Sequence, residues 1–211
     1  MKKSIIIIFM IIFSMFSFGK DEKRHIHYKK IKLTEKARIE EWKNLVNRKG
    51  EKLIIKTALK NVVYENGGQK EKLDNRSYMF YEYNKNVGFF IIQEKNEFGM
   101  NNFILLNSKS GYEKSINSCG NPIFTEDGKR VIFISGDESG DNFNGIKIFI
   151  LKKGKIYSEY EDETEDVLKF LKIVNNTIEV EKEKKDDNGK VKKIIGKIVY
   201  KNKKWYTEGI N

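Results

Sequence analysis

From Leu53 to Thr207 the chain is cut by turn signals into short runs, and this limits what it can fold into more than any other feature. Asn66-Gly67, Asp127-Gly128 and Asn188-Gly189 supply residues that accept a positive φ in tight hairpins. Apolar residues alternate within the runs, as at Val131 and Phe133 and at Ile146, Ile148 and Ile150. The pattern predicts strands over Leu53–Thr57, Val62–Glu65, Tyr78–Tyr83, Val87–Gln93, Asn102–Asn107 and Arg130–Ser135. Further strands are predicted over Ile146–Leu151, Ile156–Tyr160, Leu168–Val174, Thr177–Lys182, Val191–Tyr200 and Lys204–Thr207. One helix is predicted before them, over residues 34–49. Thr34 caps it, Glu35 suits its positive end, Ile39, Trp42, Leu45 and Val46 form its apolar stripe, and Gly50 closes it. The expected fold is all-β and antiparallel, with one N-terminal α-helix.

Sliding the chain by 44 residues without a gap places Phe80 on Phe124, Val87 on Val131, Phe89 on Phe133, Ile104 on Ile148 and Leu106 on Ile150. A looser third copy runs from Leu168 to Trp205. Within Asn121–Leu151, Pro122, Phe124, Thr125, Asp127, Gly128, Lys129, Val131, Phe133, Ser135 and Gly140 follow one another as proline, aromatic, turn, apolar strand and acidic glycine loop. This stretch resembles the repeat of TolB-type, WD40-like β-propellers, and residues 78–111 resemble it more loosely. Glu126 stands where that repeat carries proline, and the loop from Gly136 to Gly145 is longer. The resemblance implies blade-like sheets and no particular activity. A closed propeller needs at least about four blades of roughly 40 residues, and this chain has room for about three. Stacked, propeller-like blades or a β-meander short of a closed ring are therefore expected.

At the other end of the chain, Lys2 and Lys3 precede an apolar core from Ile5 to Phe18, broken only by Ser14 and Ser17. Ser17 and Gly19 stand three and one positions before a cut between Gly19 and Lys20, so residues 1–19 read as a cleavable signal peptide. A charged leader over 20–32 and a single β-rich domain over 33–208 would follow. The apolar core is shorter than the roughly 20 residues a bilayer span requires, and no cysteine near the cut offers a lipid attachment point. The expected product is exported, periplasmic or secreted, not a lipoprotein, with no stable membrane span after cleavage. Cys119 is the single cysteine, which excludes an intramolecular disulfide and suits a small buried apolar residue.

Lys and Arg number 41 against 30 Asp and Glu, a net charge of +11 that favours anionic partners. A chain rich in Lys, Ile and Asn with one Pro is also what AT-rich coding produces. Nucleic acid is not an expected partner for an exported protein. The only histidines, His25 and His27, lie in the leader, so no histidine-based relay or zinc set is available to the domain. No catalytic residues and no metal ligands are assigned, and no cofactor is expected. Glu94 and Glu97 are placed in one long loop, and Asp137, Glu138 and Asp141 in the equivalent loop of the next copy. Carboxylates from such loops would share a rim. Paired across about 5–10 Å, they would suit a glycan-acting hydrolase. Asp137, Glu138, Asp141, Asn142 and Asn144 also offer oxygen atoms enough for weak Ca²⁺ binding, without the alternation of an EF-hand.

The sequence thus points to a non-enzymatic binding protein of the cell envelope that uses a loop rim or a sheet edge. Its expected partner is an envelope or secreted protein, or a glycan stacked on aromatic residues such as Tyr78, Tyr81, Tyr83, Trp205 and Tyr206. A hydrolase working through the acidic loops, and a binder of polyanions or membrane surfaces, are the alternatives.

Overall fold

A computed structural model describes residues 34–67, 75–97, 101–118, 120–136, 144–164, 167–174, 177–185 and 190–209. The chain divides into Met1–Glu41 and Trp42–Asn211. In the first unit lies helix α1 (Glu35–Glu41). The Thr34 hydroxyl accepts from the Ala37 amide at 3.4 Å and its carbonyl from the Arg38 amide at 3.1 Å, which makes Thr34 the cap the sequence predicts.

The helix predicted over 34–49 stops at Glu41, and this is a correction. Val46–Lys49 is strand β1, hairpinned onto β2 (Lys52–Lys56) with Val46 opposite Ile55 and Arg48 opposite Leu53. Gly50, at φ 57°, turns this hairpin and does not cap a helix. Pairing with β2 buries Val46 beside Leu53 and Ile55, which outweighs the helical spacing of Leu45 and Val46 with the residues before them.

In the second unit the strands form four antiparallel sheets, each a meander of chain-adjacent strands. The first contains β1, β2 and β3 (Asn61–Glu65). The second contains β4 (Ser77–Asn84), β5 (Phe89–Lys95), β6 (Asn101–Asn107) and β7 (Glu113–Asn117). The third contains β8 (Ile123–Phe124), β9 (Arg130–Ser135), β10 (Gly145–Lys152) and β11 (Lys155–Glu163). The fourth contains β12 (Val167–Val174), β13 (Thr177–Lys185), β14 (Val191–Lys201) and β15 (Lys204–Glu208). The fold is all-β with one short helix, and the sheets of the described residues do not close into a barrel.

Packing follows the alternation of side chains. Phe89, Ile91, Phe103 and Leu105 of the second sheet share one cluster with Val131, Phe133, Phe149 and Leu151 of the third. The opposite face of the third sheet, through Ile132, Ile134, Ile146 and Ile148, meets Leu168, Ile178, Val180 and Ile198 of the fourth. The third sheet is therefore covered on both faces, and its central strands β9 and β10 read as nearly continuous apolar runs for that reason. Beyond that seam the fourth sheet turns a ladder of charges outward: Lys172 to Glu179 at 3.0 Å, and Lys193 to Glu181 at 2.8 Å and to Glu183 at 2.9 Å.

Strand register corrects the ungapped repeat. A uniform shift of 44 would carry the pair Phe89 and Asn107 onto Phe133 and Leu151, yet Phe133 pairs with Lys147. The two meanders thus differ by four residues between their second and third strands. Ile104 and Ile148, matched by the shift, also face differently: Ile148 belongs to the seam with the fourth sheet, whereas Ile104 lies outside both clusters. A bulge between Phe80 and Glu82 likewise separates the tyrosines of β4. Tyr81 packs edge-on to Phe103, while Tyr83 stacks on Phe90 of the opposite face, so Tyr78, Tyr81 and Tyr83 do not form one aromatic surface.

Candidate functional site

In a meander every second connection returns to the same end of the sheet, and here those turns touch from one sheet to the next. The Ala58 amide of the β2–β3 turn donates to the Ser108 carbonyl of the β6–β7 turn at 2.7 Å. Asn84, buried at the end of β4, donates from Nδ2 to the Gly128 carbonyl of the β8–β9 turn at 2.9 Å. A side chain at Gly154, in the β10–β11 turn, would come within 3.5 Å of Asn107. Asn107 itself organises the β6–β7 turn, its Oδ1 accepting from the Lys109 and Ser110 amides and the Ser110 hydroxyl.

The third and fourth sheets are joined at this end by a polar clasp. Arg130, first residue of β9, gives Glu159 two hydrogen bonds, from Nε at 2.5 Å and from a terminal nitrogen at 3.0 Å. The Trp205 indole N–H donates to the same carboxylate at 2.9 Å, and the guanidinium lies 4.5 Å from the Tyr200 ring centre. Partial burial pushes the Glu159 pKa up, but the hydrogen bonds from Arg130 and Trp205 outweigh it and hold the carboxyl below its usual range. Trp205 is therefore a buried stitch between sheets and does not offer a stacking surface.

The turn end is strongly basic. Lys60, Lys85, Lys109, Lys129, Lys152, Lys153, Lys155, Lys201, Lys203 and Lys204 are all exposed there. The described acidic residues on the same turns are Glu126 and Asp127. Asp127 is committed locally: its carboxylate accepts from the Thr125 hydroxyl at 2.6 Å and the Lys129 amide at 3.0 Å. Partial burial works to raise its pKa, and these bonds with the charges of Lys129 and Arg130 prevail and lower it.

Glu94 is not a loop residue. It lies buried in β5, one carboxylate oxygen accepting from Arg76 at 3.1 Å and the other from Asn102 at 3.0 Å. Strand β5 extends to Lys95, past its predicted end at Gln93, because Glu94 and Lys95 pair with Asn102 and Asn101 of β6. Nearby, burial and hydrogen bonding to Glu94 raise the Tyr78 pKa, and burial and a 2.8 Å bond to Glu113 raise that of Tyr64. Glu97 is exposed just beyond β5. Asn144 stands before β10, its carbonyl accepting from the Thr164 amide at 3.1 Å. Asp137, Glu138, Asp141 and Asn142 lie outside the described residues, as do Cys119, His25 and His27. Among the described residues no three His, Cys, Asp or Glu side chains come together as metal ligands, and no helix is long and apolar enough to cross a membrane.

The clustering of lysines at one end is not among the features predicted from the sequence. Its signal was present in KKGK at 152–155 and KNKK at 201–204, each joining the last two strands of a sheet. Comparison with family models, with curated proteins and with solved structures finds no match to this chain.

Proposed function

We propose that the chain is an exported, non-enzymatic binding protein that engages an envelope or secreted partner through the turn end of its stacked sheets. The observation carrying this reading is the gathering of ten exposed lysines, from turns of all four sheets, at one end of those sheets. A rim of that charge attracts anionic surfaces over the range of a Debye length, about 8 Å at physiological salt. The titratable groups inside the sheets support the same reading, because Glu94 and Glu159 have both carboxylate oxygens engaged by neighbouring donors. The likeness of residues 121–151 to propeller repeats fits it as well, since such sheets commonly present their loops to partners. Cross-linking of the protein in envelope extracts, followed by affinity capture, tests the proposal. Recovery of a partner that is lost when the rim lysines are neutralised is expected. Recovery that is indifferent to those lysines would overturn the assignment of the rim.

A further inference from the structure

Hairpins that join the last two strands of the third and fourth sheets carry six of the rim lysines in an arrangement that folding alone disfavours. Lys152 is paired directly across the strands with Lys155, and Lys201 with Lys204. Like charges placed opposite one another destabilise a hairpin. Elsewhere the sheets more often set lysine against glutamate, as in Lys147 with Glu161 at 3.0 Å and Lys172 with Glu179 at 3.0 Å, although Lys184 is also paired with Lys192 in the fourth sheet. Another hairpin-closing lysine pair, Lys49 with Lys52, ends the β1–β2 hairpin, and there Glu65 lies 3.4 Å from Lys52. The six lysines of the two rim hairpins have no such partner among the described residues.

The turns themselves carry a second, independent sign. Among the described residues, the non-glycine positions with positive φ are Lys153 at 53°, Asn202 at 53° and Lys203 at 62°, all at these two tips. With Gly154 at 74° they make two-residue turns whose preferred sequence is Asn-Gly. One tip reads Lys-Gly and the other Asn-Lys. Each has lysine at the one position where the preferred dipeptide would relieve the strain and take away one further positive charge.

We infer that this rim docks on the surface of an anionic phospholipid bilayer, an inference that rests on the binding reading above and names its partner. The lysines stand on the tips of turns, not around a groove, and tips meet a broad surface. Lysine's compact ammonium suits diffuse attraction to many headgroups, whereas the rim's arginine, Arg130, is turned inward to Glu159. Beside Lys60, on the β2–β3 turn, Leu59 is 74% exposed, an aliphatic side chain placed to enter the headgroup layer.

The test is sedimentation of the full chain with vesicles of phosphatidylcholine alone or with added phosphatidylglycerol, wild type and variants side by side. The apolar N-terminal segment then contributes equally to every sample. In the rim variant, Lys152, Lys155, Lys201 and Lys204 become Gln, with Lys153→Asn and Lys203→Gly. Each lysine near an anionic surface is worth roughly fivefold in affinity, so the rim variant should lose phosphatidylglycerol-dependent binding by about a hundredfold or more. Wild-type binding should also fall as salt rises, and Leu59→Ser should cost about tenfold or less. The rim variant should melt no lower than wild type, since it relieves strain and repulsion. Equal binding to both kinds of vesicle, unchanged binding by the variant, or a lower melting point would overturn the inference. So would lysine-dependent capture of soluble DNA or an anionic polysaccharide without vesicle binding. If vesicle binding fails while rim neutralisation still abolishes capture of a protein partner, the binding reading stands and only the membrane is excluded.

Discussion

Between the second and third sheets the contact is aromatic: Phe103 lies 5.5 Å from Phe133, which lies 6.1 Å from Phe149, with Tyr81 edge-on to Phe103 at 5.6 Å. Between the third and fourth sheets it is isoleucine, leucine and valine, closed by the Arg130–Glu159–Trp205 clasp. The first seam depends on shape and apolar area, so it should respond to volume and hardly to pH. The second has charge in its closure and should loosen in acid. One chain has met the same need, covering a two-sided sheet, by two physical routes.

The largest blow to the aromatic seam is Phe133→Ala, which empties a fully buried ring site touching both neighbouring rings. A loss of about 3–5 kcal/mol is expected by chemical denaturation; a loss under about 1 kcal/mol would mean that the seam is loosely packed. Next comes Gly120→Ala, because the added carbon would overlap the Ile134 carbonyl oxygen. Ser118 and Ser135 hold that approach with a 2.7 Å hydroxyl contact, and a loss of at least about 2 kcal/mol is expected.

The clasp is probed by Glu159→Gln, which leaves Arg130 without its carboxylate at a site largely shielded from water. About 1–3 kcal/mol should be lost at neutral pH. The pH dependence has a definite sign. Because the folded pKa of Glu159 is depressed, its contribution is complete above its ordinary value of 4.5 and disappears as pH falls through the folded value. Acid titration of wild type against Glu159→Gln should therefore show the gap between them closing below about pH 4.5, whereas Phe133→Ala should run parallel to wild type. The smallest effect is a gain. Lys153→Asn or Lys203→Gly, measured singly by thermal melting, should each stabilise by about 0.5–1 kcal/mol.

Much of this architecture was legible because the meander prints its turns. The predicted strand Arg130–Ser135 coincides with β9 to the residue, and most other strands lie within one or two residues of their predicted bounds. Failures occurred where local pattern and tertiary pairing disagree. Val46 continues a helical stripe in sequence but completes a hairpin in space. Strand β7 has Ile116 as its one buried residue and β8 is two residues long, so neither carries a readable period. The candidate site was harder still. Its lysines are scattered from residue 60 to residue 204, and what unites them is the return of alternate turns to one end. Glu94 shows the reverse error: beside the loop in sequence, it is paired in a strand and screened by Arg76 and Asn102.

The outward ladder of Lys172, Glu179, Glu181, Glu183 and Lys193 also sets how far such a pile can grow. A further sheet laid on that face could cover Val191 and Ile195, but it would have to strip water from five charges beside them, at several kcal/mol each. Stacking is thus terminated by chemistry written into β12, β13 and β14, and the fourth sheet serves as a lid on that side.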